Sequence, residues 1–187
     1  MTRAPGRPAR AAAPVTRDEM LAEAMAILSR EGAERLTMRA LAARLAVTPM
    51  TIHHHFGGRD GLIAAMADRL YAPVAAPDEG TAVARIRGLL LAYHGRVLLC
   101  PALTLLIFSH PRVFPAQARR ITDDLSALLA ETGLTPERAR RWRDILVDVT
   151  HGAGLATAMM PEGETDPEAQ AAGYAECLEE LLTALRG

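Results

Sequence analysis

The stretch from Thr37 to Leu62 constrains this chain most; it reads TMRALAARLAVTPMTIHHHFGGRDGL. Met38, Leu41, Ala42 and Leu45 recur at helical spacing and predict a short apolar helix. Ala46-Val47 leaves room for only a tight connection. Thr48 then stands where an N-cap is needed, its hydroxyl able to accept from the free N–H groups of the next helix. Pro49 fits the first helical position, where a missing N–H costs nothing. This second helix is very short, and its one strongly apolar inward residue is Ile52, backed by Phe56. A helix that buries so little is held in place to show its other face to something. Two short helices joined by a tight turn form the helix-turn-helix arrangement, whose second helix enters the major groove of DNA.

Composition narrows the class. The chain has 187 residues, of which 50% are apolar and 23% charged, so it can bury a core and is neither disordered nor membrane-embedded. Leu89 to Phe108 is the most apolar run, and Arg96 and Pro101 interrupt it. The basic N-terminus lacks the apolar core of a signal peptide. Cys100 and Cys177 lie far apart without metal-ligand spacing, which fits buried thiols in a reducing compartment, so the cytoplasm is the expected location. All 21 basic residues are Arg and there is no Asn, a bias of coding genome more than of mechanism. Charge is unevenly spread: residues 1–60 hold nine Arg against six acids, residues 61–187 twelve against sixteen. A basic N-terminal part beside an acidic remainder suits a polyanion partner at one end.

In chain order, residues 1–15 form a basic arm rich in Ala, Pro and Arg, with Arg3, Arg7 and Arg10. Such an arm suits either a minor-groove hook or a solubilising tail. Thr16 and Glu19 make a capping box for a helix to about Arg30, with Leu21, Ala24, Met25 and Leu28 inward and Gly32 at its end. Leu36 and Val47 are expected to complete this small core. A fourth helix runs from Arg59 to about Tyr71, and Pro73–Gly80 reads as a linker. Everything beyond is expected to be helical: Thr81–Leu99, Pro101–Phe108, about Phe114–Glu131, Thr135 to about Met160, and Asp166 to about Arg186.

The ordered combination Glu31-Gly32, Thr37-Met38-Arg39-Ala40-Leu41-Ala42, Ala46-Val47-Thr48, His55-Phe56, Arg59-Asp60 and Leu62 resembles the DNA-binding domain of the TetR family of bacterial transcriptional regulators. The match covers about residues 16–63. Two positions depart from the family pattern: His53 replaces a tyrosine and Arg59 a lysine. The resemblance implies an all-α fold, with a three-helix helix-turn-helix domain at 16–62 and a helical effector-binding and dimerisation domain at 63–187. By analogy Thr48, Pro49, Met50 and His54 would face base edges. Thr37 would hold a phosphate at a helix N-terminus, and Arg39 would reach a phosphate or a guanine. Thr51, His53 and Arg59 are placed for phosphates. Double-stranded operator DNA, a second copy of the chain and a small-molecule effector are the implied partners; no membrane and no cofactor are implied.

For the body, Tyr93, His94, Phe108, Trp142, His151 and Met159 are candidates to line an effector cavity, each with a place in the core as its alternative. Trp142, Val149, Ala153, Tyr174, Leu178, Leu181 and Leu185 mark the last two helices as a dimer interface, which in the resembled family is a four-helix bundle; the same stripes would equally fill a protomer's own core. Metal binding is not expected. His53, His54 and His55 point about 100° apart on a helix and cannot converge on one ion, and His94, Cys100, His110 and His151 match no zinc spacing. Nor is an enzyme expected: Ser29, Ser109 and Ser126 sit in no nucleophile elbow, and there is no phosphate-cradling glycine loop. The competing reading is a small-molecule sensor or carrier of the same fold that does not select a DNA sequence.

Overall fold

A computed structural model describes residues 14–158 and 166–185, and among these residues every regular element is an α-helix. In chain order they are α1 (Arg17–Glu31), α2 (Met38–Arg44), α3 (Pro49–Phe56), α4 (Arg59–Tyr71), α5 (Ala82–Leu99), α6 (Pro101–Phe108), α7 (Ala116–Glu131), α8 (Pro136–Ala158) and α9 (Pro167–Leu185). Threonine hydroxyls open several of them. Thr16 accepts from Glu19 N at 3.2 Å while Glu19 takes the Thr16 N–H at 2.7 Å, so the capping box forms. Thr37, Thr48 and Thr81 accept from Ala40 N, Thr51 N and Ala84 N at 3.0–3.2 Å.

The head consists of α1, α2, α3 and the start of α4. Met20, Leu21, Ala24, Ile27 and Leu28 of α1 are buried against Leu36, Leu41, Ala42, Ile52, Leu62, Ile63 and Met66. Each fully buried aliphatic side chain contributes about 1.5–3 kcal/mol relative to exposure. The turn between α2 and α3 is bought with strain: Ala46 lies at φ 53, a left-handed conformation that costs a residue with a Cβ about 1–2 kcal/mol. It lets Val47 N–H donate to Ala42 O at 3.0 Å. Val47 itself packs half-buried beside the core. At the other end, Gly57 at φ 71 closes α3 and sends its N–H to His53 O at 2.7 Å.

The helix α4 carries the chain from head to body inside one continuous core. Asp68 on it accepts from the backbone N–H of Gln117 at 2.8 Å, serving α7 as the cap that Pro115 cannot be. Tyr71 is buried, with its hydroxyl 3.0 Å from that of Thr104 on α6. In the body, α5 packs between α7, α8 and α9. Among the described residues no single helix is long and apolar enough to cross a membrane; α5 and α6 meet that test only as a pair, and they are bent by 94° at Cys100.

Several expectations shift. Phe114 and Pro115 precede α7 and do not belong to it. The basic arm up to residue 13, with Arg3, Arg7 and Arg10, and the expected end of α8 at Met160 lie outside the described residues. The stripe on α9 is also corrected: Tyr174, Leu178 and Leu185 are 1–4% exposed and face the protomer's own core. They pack there because α9 lies against α5 and α8, and the largest apolar side chains of an amphipathic helix turn to the nearest dry surface.

Candidate nucleic-acid interface and internal cavity

Of α3, Ile52 and Phe56 are buried and Met50 is 72% exposed. Thr48, Pro49, His53, His54 and His55 are also exposed and Thr51 is half-buried. The Thr51 hydroxyl sits 2.9 Å from that of Thr48, so these two side chains form one polar unit at the helix N-terminus. Thr37 is exposed at the start of α2, and Arg39 projects from the same helix, exposed and without an ion pair among the described residues. Its neighbour on that helix is spent differently: Arg44 pairs with Glu23 at 3.2 Å and with Glu31. Thus the structure brings Thr37, Arg39, Thr48, Pro49, Met50, Thr51, His53 and His54 to the solvent side of the two short helices, where free N–H groups, hydroxyls, imidazoles and a guanidinium can meet an anionic, groove-bearing partner.

Arg59 stands apart from that group. Its guanidinium is half-buried and donates to the carbonyls of Leu36 and of Ala33, the latter at 3.3 Å. It therefore ties the start of α4 to the loop between α1 and α2, with its donors turned inward. A basic residue that sequence reasoning passed over is Arg17, whose guanidinium lies 5.1 Å from the centroid of the Phe56 ring, beside the end of α3.

Within the body, α5, α6, α7 and α8 leave a cavity of about 670 Å³ lined by Leu90, Tyr93, Phe108, Phe114, Ala118, Ile121, Thr122, Leu125, Arg143, Asp144, Val147, Asp148 and His151. It shares Tyr93, Phe108, Phe114, Ala118 and His151 with a second space of about 350 Å³ that reaches Tyr71, Thr104 and Val113. At the junction the Tyr93 hydroxyl lies 2.6 Å from His151 Nε2. Burial raises the Tyr93 phenol out of the physiological range and lowers the His151 imidazole, against a smaller opposing pull from Asp148. The bond therefore joins a protonated phenol to a neutral imidazole. The Phe108 ring stands edge-on to His151, with centroids 5.1 Å apart.

Tyr93, Phe108 and His151 thus meet at one cavity. His94 does not join them: it is buried on another side of α5, stacked on Tyr174 with centroids 3.9 Å apart, and its Nε2 has no hydrogen-bond partner among the described residues. Burial depresses His94 to about 4. Trp142 packs half-buried beside the core and does not line the cavity, and Met159 lies outside the described residues. Asp144, Asp148, Arg143 and Phe114, all at the cavity, escaped sequence reasoning; the 144, 147, 148, 151 spacing on one face of α8 marks the two aspartates, and nothing periodic marks Arg143 or Phe114. Among the described residues no three His, Cys, Asp or Glu side chains are grouped to hold a metal ion.

Residues 20–66 match the family model described as bacterial regulatory proteins, tetR family. Solved structures share the fold over almost the whole chain. A possible TetR family transcriptional regulator from Streptomyces coelicolor A3(2) is 26% identical, with a TM-score of 0.68 over 92% of this chain and 89% of that one. The TetR-Q116A variant from Acinetobacter baumannii AYE in complex with minocycline is 20% identical, with a TM-score of 0.75 over 92% and 99%. BioQ with its double-stranded DNA operator is 19% identical, with a TM-score of 0.73 over 92% and 98%. At such identities the last two speak for the fold alone. No curated protein sequence matches the chain.

Proposed function

We propose that this chain, whose helix-turn-helix head matches the family model of bacterial regulatory proteins, tetR family, is a non-enzymatic, ligand-responsive transcriptional repressor that binds a palindromic operator as a homodimer. The observation that carries the reading is α3, which spends Ile52 and Phe56 on anchorage and leaves Thr48, Pro49, Met50, His53 and His54 outward. In this reading Met50 and Pro49 touch thymine methyl groups and His54 a base edge. Thr37, Arg39, Thr51 and His53 hold phosphates. Arg59 supports the head from within, through the carbonyls it binds, and contributes its positive charge to the DNA at a distance.

The two heads need a two-fold partner to read a palindrome. The outer faces of α8 and α9 supply the surface in this reading. Ile145 is 43% exposed, Val149, Ala153, Trp142 and Leu181 are half-buried, and Gly152, Ala156, Ala172, Gly173 and Ala184 are exposed small residues that let helices approach closely. Release follows if an effector binds the DNA-incompetent spacing of the heads better than the competent one. The link in this reading is α4, tied to the cavity walls through Asp68 on Gln117 and Tyr71 on Thr104, and to the loop before α7 by the 3.4 Å pair of Asp60 with Arg112.

Arg39→Ala and Thr48→Ala test the DNA half of the reading. Arg39→Ala is expected to weaken binding to all duplexes alike and to reduce the salt slope by about one. Thr48→Ala is expected to weaken operator binding more than random binding. Unchanged affinity of both variants on every duplex would remove the head from the interface and leave the sensor or carrier reading.

A further inference from the structure

The charged side chains that line the cavity do not balance. Among the described residues, Arg143, Asp144 and Asp148 are the charged side chains that line it. Arg143 sends both Nε and Nη2 to Asp144 Oδ1, at 2.9 and 2.7 Å, so these two neutralise each other. Asp148 has no hydrogen bond or ion pair among the described residues, and His151 one turn further along α8 is uncharged through burial. Among the lining side chains this leaves one unpaired carboxylate at the rim of an otherwise apolar space, with the Arg119 guanidinium outside the lining over Phe114. Depth and rim differ in kind: Leu90, Leu125 and Ile121 are buried, whereas Asp148 is exposed.

Resting on the reading of the body as a sensor, we propose that the cavity takes an apolar cation, an aromatic or alkyl body that fills the space between α5, α7 and α8 and carries one positive charge to Asp148. An anion of the same shape would meet the like charge of Asp148, and could recruit Arg143 only by breaking its paired bonds to Asp144. A cation meets the opposite situation, with attraction at Asp148 and exposed aromatic faces at the mouth. Phe108 is 56% and Phe114 59% exposed there. The Phe114 ring already accepts one cation, the Arg119 guanidinium at 5.0 Å from its centroid. The Tyr93–His151 pair at the junction adds a neutral polar contact for a hydrogen-bonding group on the body of the molecule.

Three probes on one naphthyl body differ in the charge of the head group: naphthylmethyl-trimethylammonium, naphthylmethanol and naphthoate, titrated calorimetrically into the full-length protein without DNA. The ammonium is expected to bind about tenfold tighter than the alcohol, and the naphthoate more weakly than either. Asp148→Asn, an exposed change that leaves no hydrogen bond unmade, is expected to bring the ammonium down to the affinity of the alcohol. Ala118→Trp, which fills the space shared by both lobes, is expected to abolish binding of all three. Naphthoate binding as tightly as the ammonium, or a cation preference that survives Asp148→Asn, overturns the charge assignment. No binding by any probe overturns the cavity as a site for this class. Because the titration contains no DNA, each of these failures leaves operator recognition standing, and a failure to select an operator would leave the probe result intact.

Discussion

In the proposed function, head and body use opposite surfaces of their helices. In the head, α3 buries Ile52 and Phe56 and works with what remains outside. In the body, α5, α7 and α8 bury most of their apolar residues and work with what they fail to fill, a space of about 670 Å³ edged by Asp148 and floored by Leu90 and Leu125. An outward-working helix has a function that reads along a single segment, because spacing fixes which residues share its free face. An inward-working group of helices has a function that depends on which neighbours meet, and that is a property of packing.

Two glycines give the comparison its sharpest contrast. A Cβ at Gly61 would stand 1.8 Å from the carbonyl oxygen of Phe56, and a backbone oxygen at the end of α3 cannot rotate away. Gly61→Ala is therefore expected to cost more than the roughly 1–3 kcal/mol of ordinary overpacking, and to abolish DNA binding while the body keeps its protection in hydrogen exchange. A Cβ at Gly154 would stand 2.3 Å from Val97 Cγ1, a side-chain methyl that can shift. Gly154→Ala is expected to lower stability by about 1–3 kcal/mol in urea unfolding; a larger loss than at Gly61 would break the contrast. Below these come the caps. Thr48→Ala and Thr81→Ala should each cost about 1 kcal/mol of stability, with DNA affinity falling in the first alone.

The smallest effect at neutral pH belongs to His94. Its folded value, depressed to about 4, lies below the ordinary 6.5, so the unfolded chain takes up a proton that the folded one refuses. Stability from this group is full above about pH 6.5 and declines as the pH falls towards about 4. His94→Leu should leave the neutral-pH unfolding midpoint nearly in place and flatten that acid arm. An unaltered acid arm would place the sensitivity elsewhere.

The same contrast explains what could be read in advance. Thr16, Thr48, Pro49 and Gly57 act within a few residues of themselves, so the helices they bound were legible. Tyr93 and His94 were legible as inward residues of α5 but not as residues with different fates. Adjacent helical positions diverge by about 100°, and one meets His151 while the other meets Tyr174. Tyr174, Leu178 and Leu185 carried the apolar signal of α9 and so marked its inner face. Its outer face holds Ala172, Gly173 and Ala184, small residues that periodicity barely registers. Arg59 read as a free cation because the carbonyls it binds belong to a loop more than twenty residues earlier. Asp148 carried no signal of its own in the sequence, because an exposed carboxylate at a cavity rim differs from any other only in its neighbours.

In the proposed function the outward face of α3 selects a DNA sequence. Its most direct test is a titration of the purified protein on DNA from its own upstream region, beside random duplex of equal length, at two salt concentrations. Binding is expected to be selective for the upstream DNA, to weaken steeply with salt, and to leave a footprint of two half-sites related by a two-fold axis. Equal affinity for random duplex at low salt, in protein free of added ligand, would contradict it.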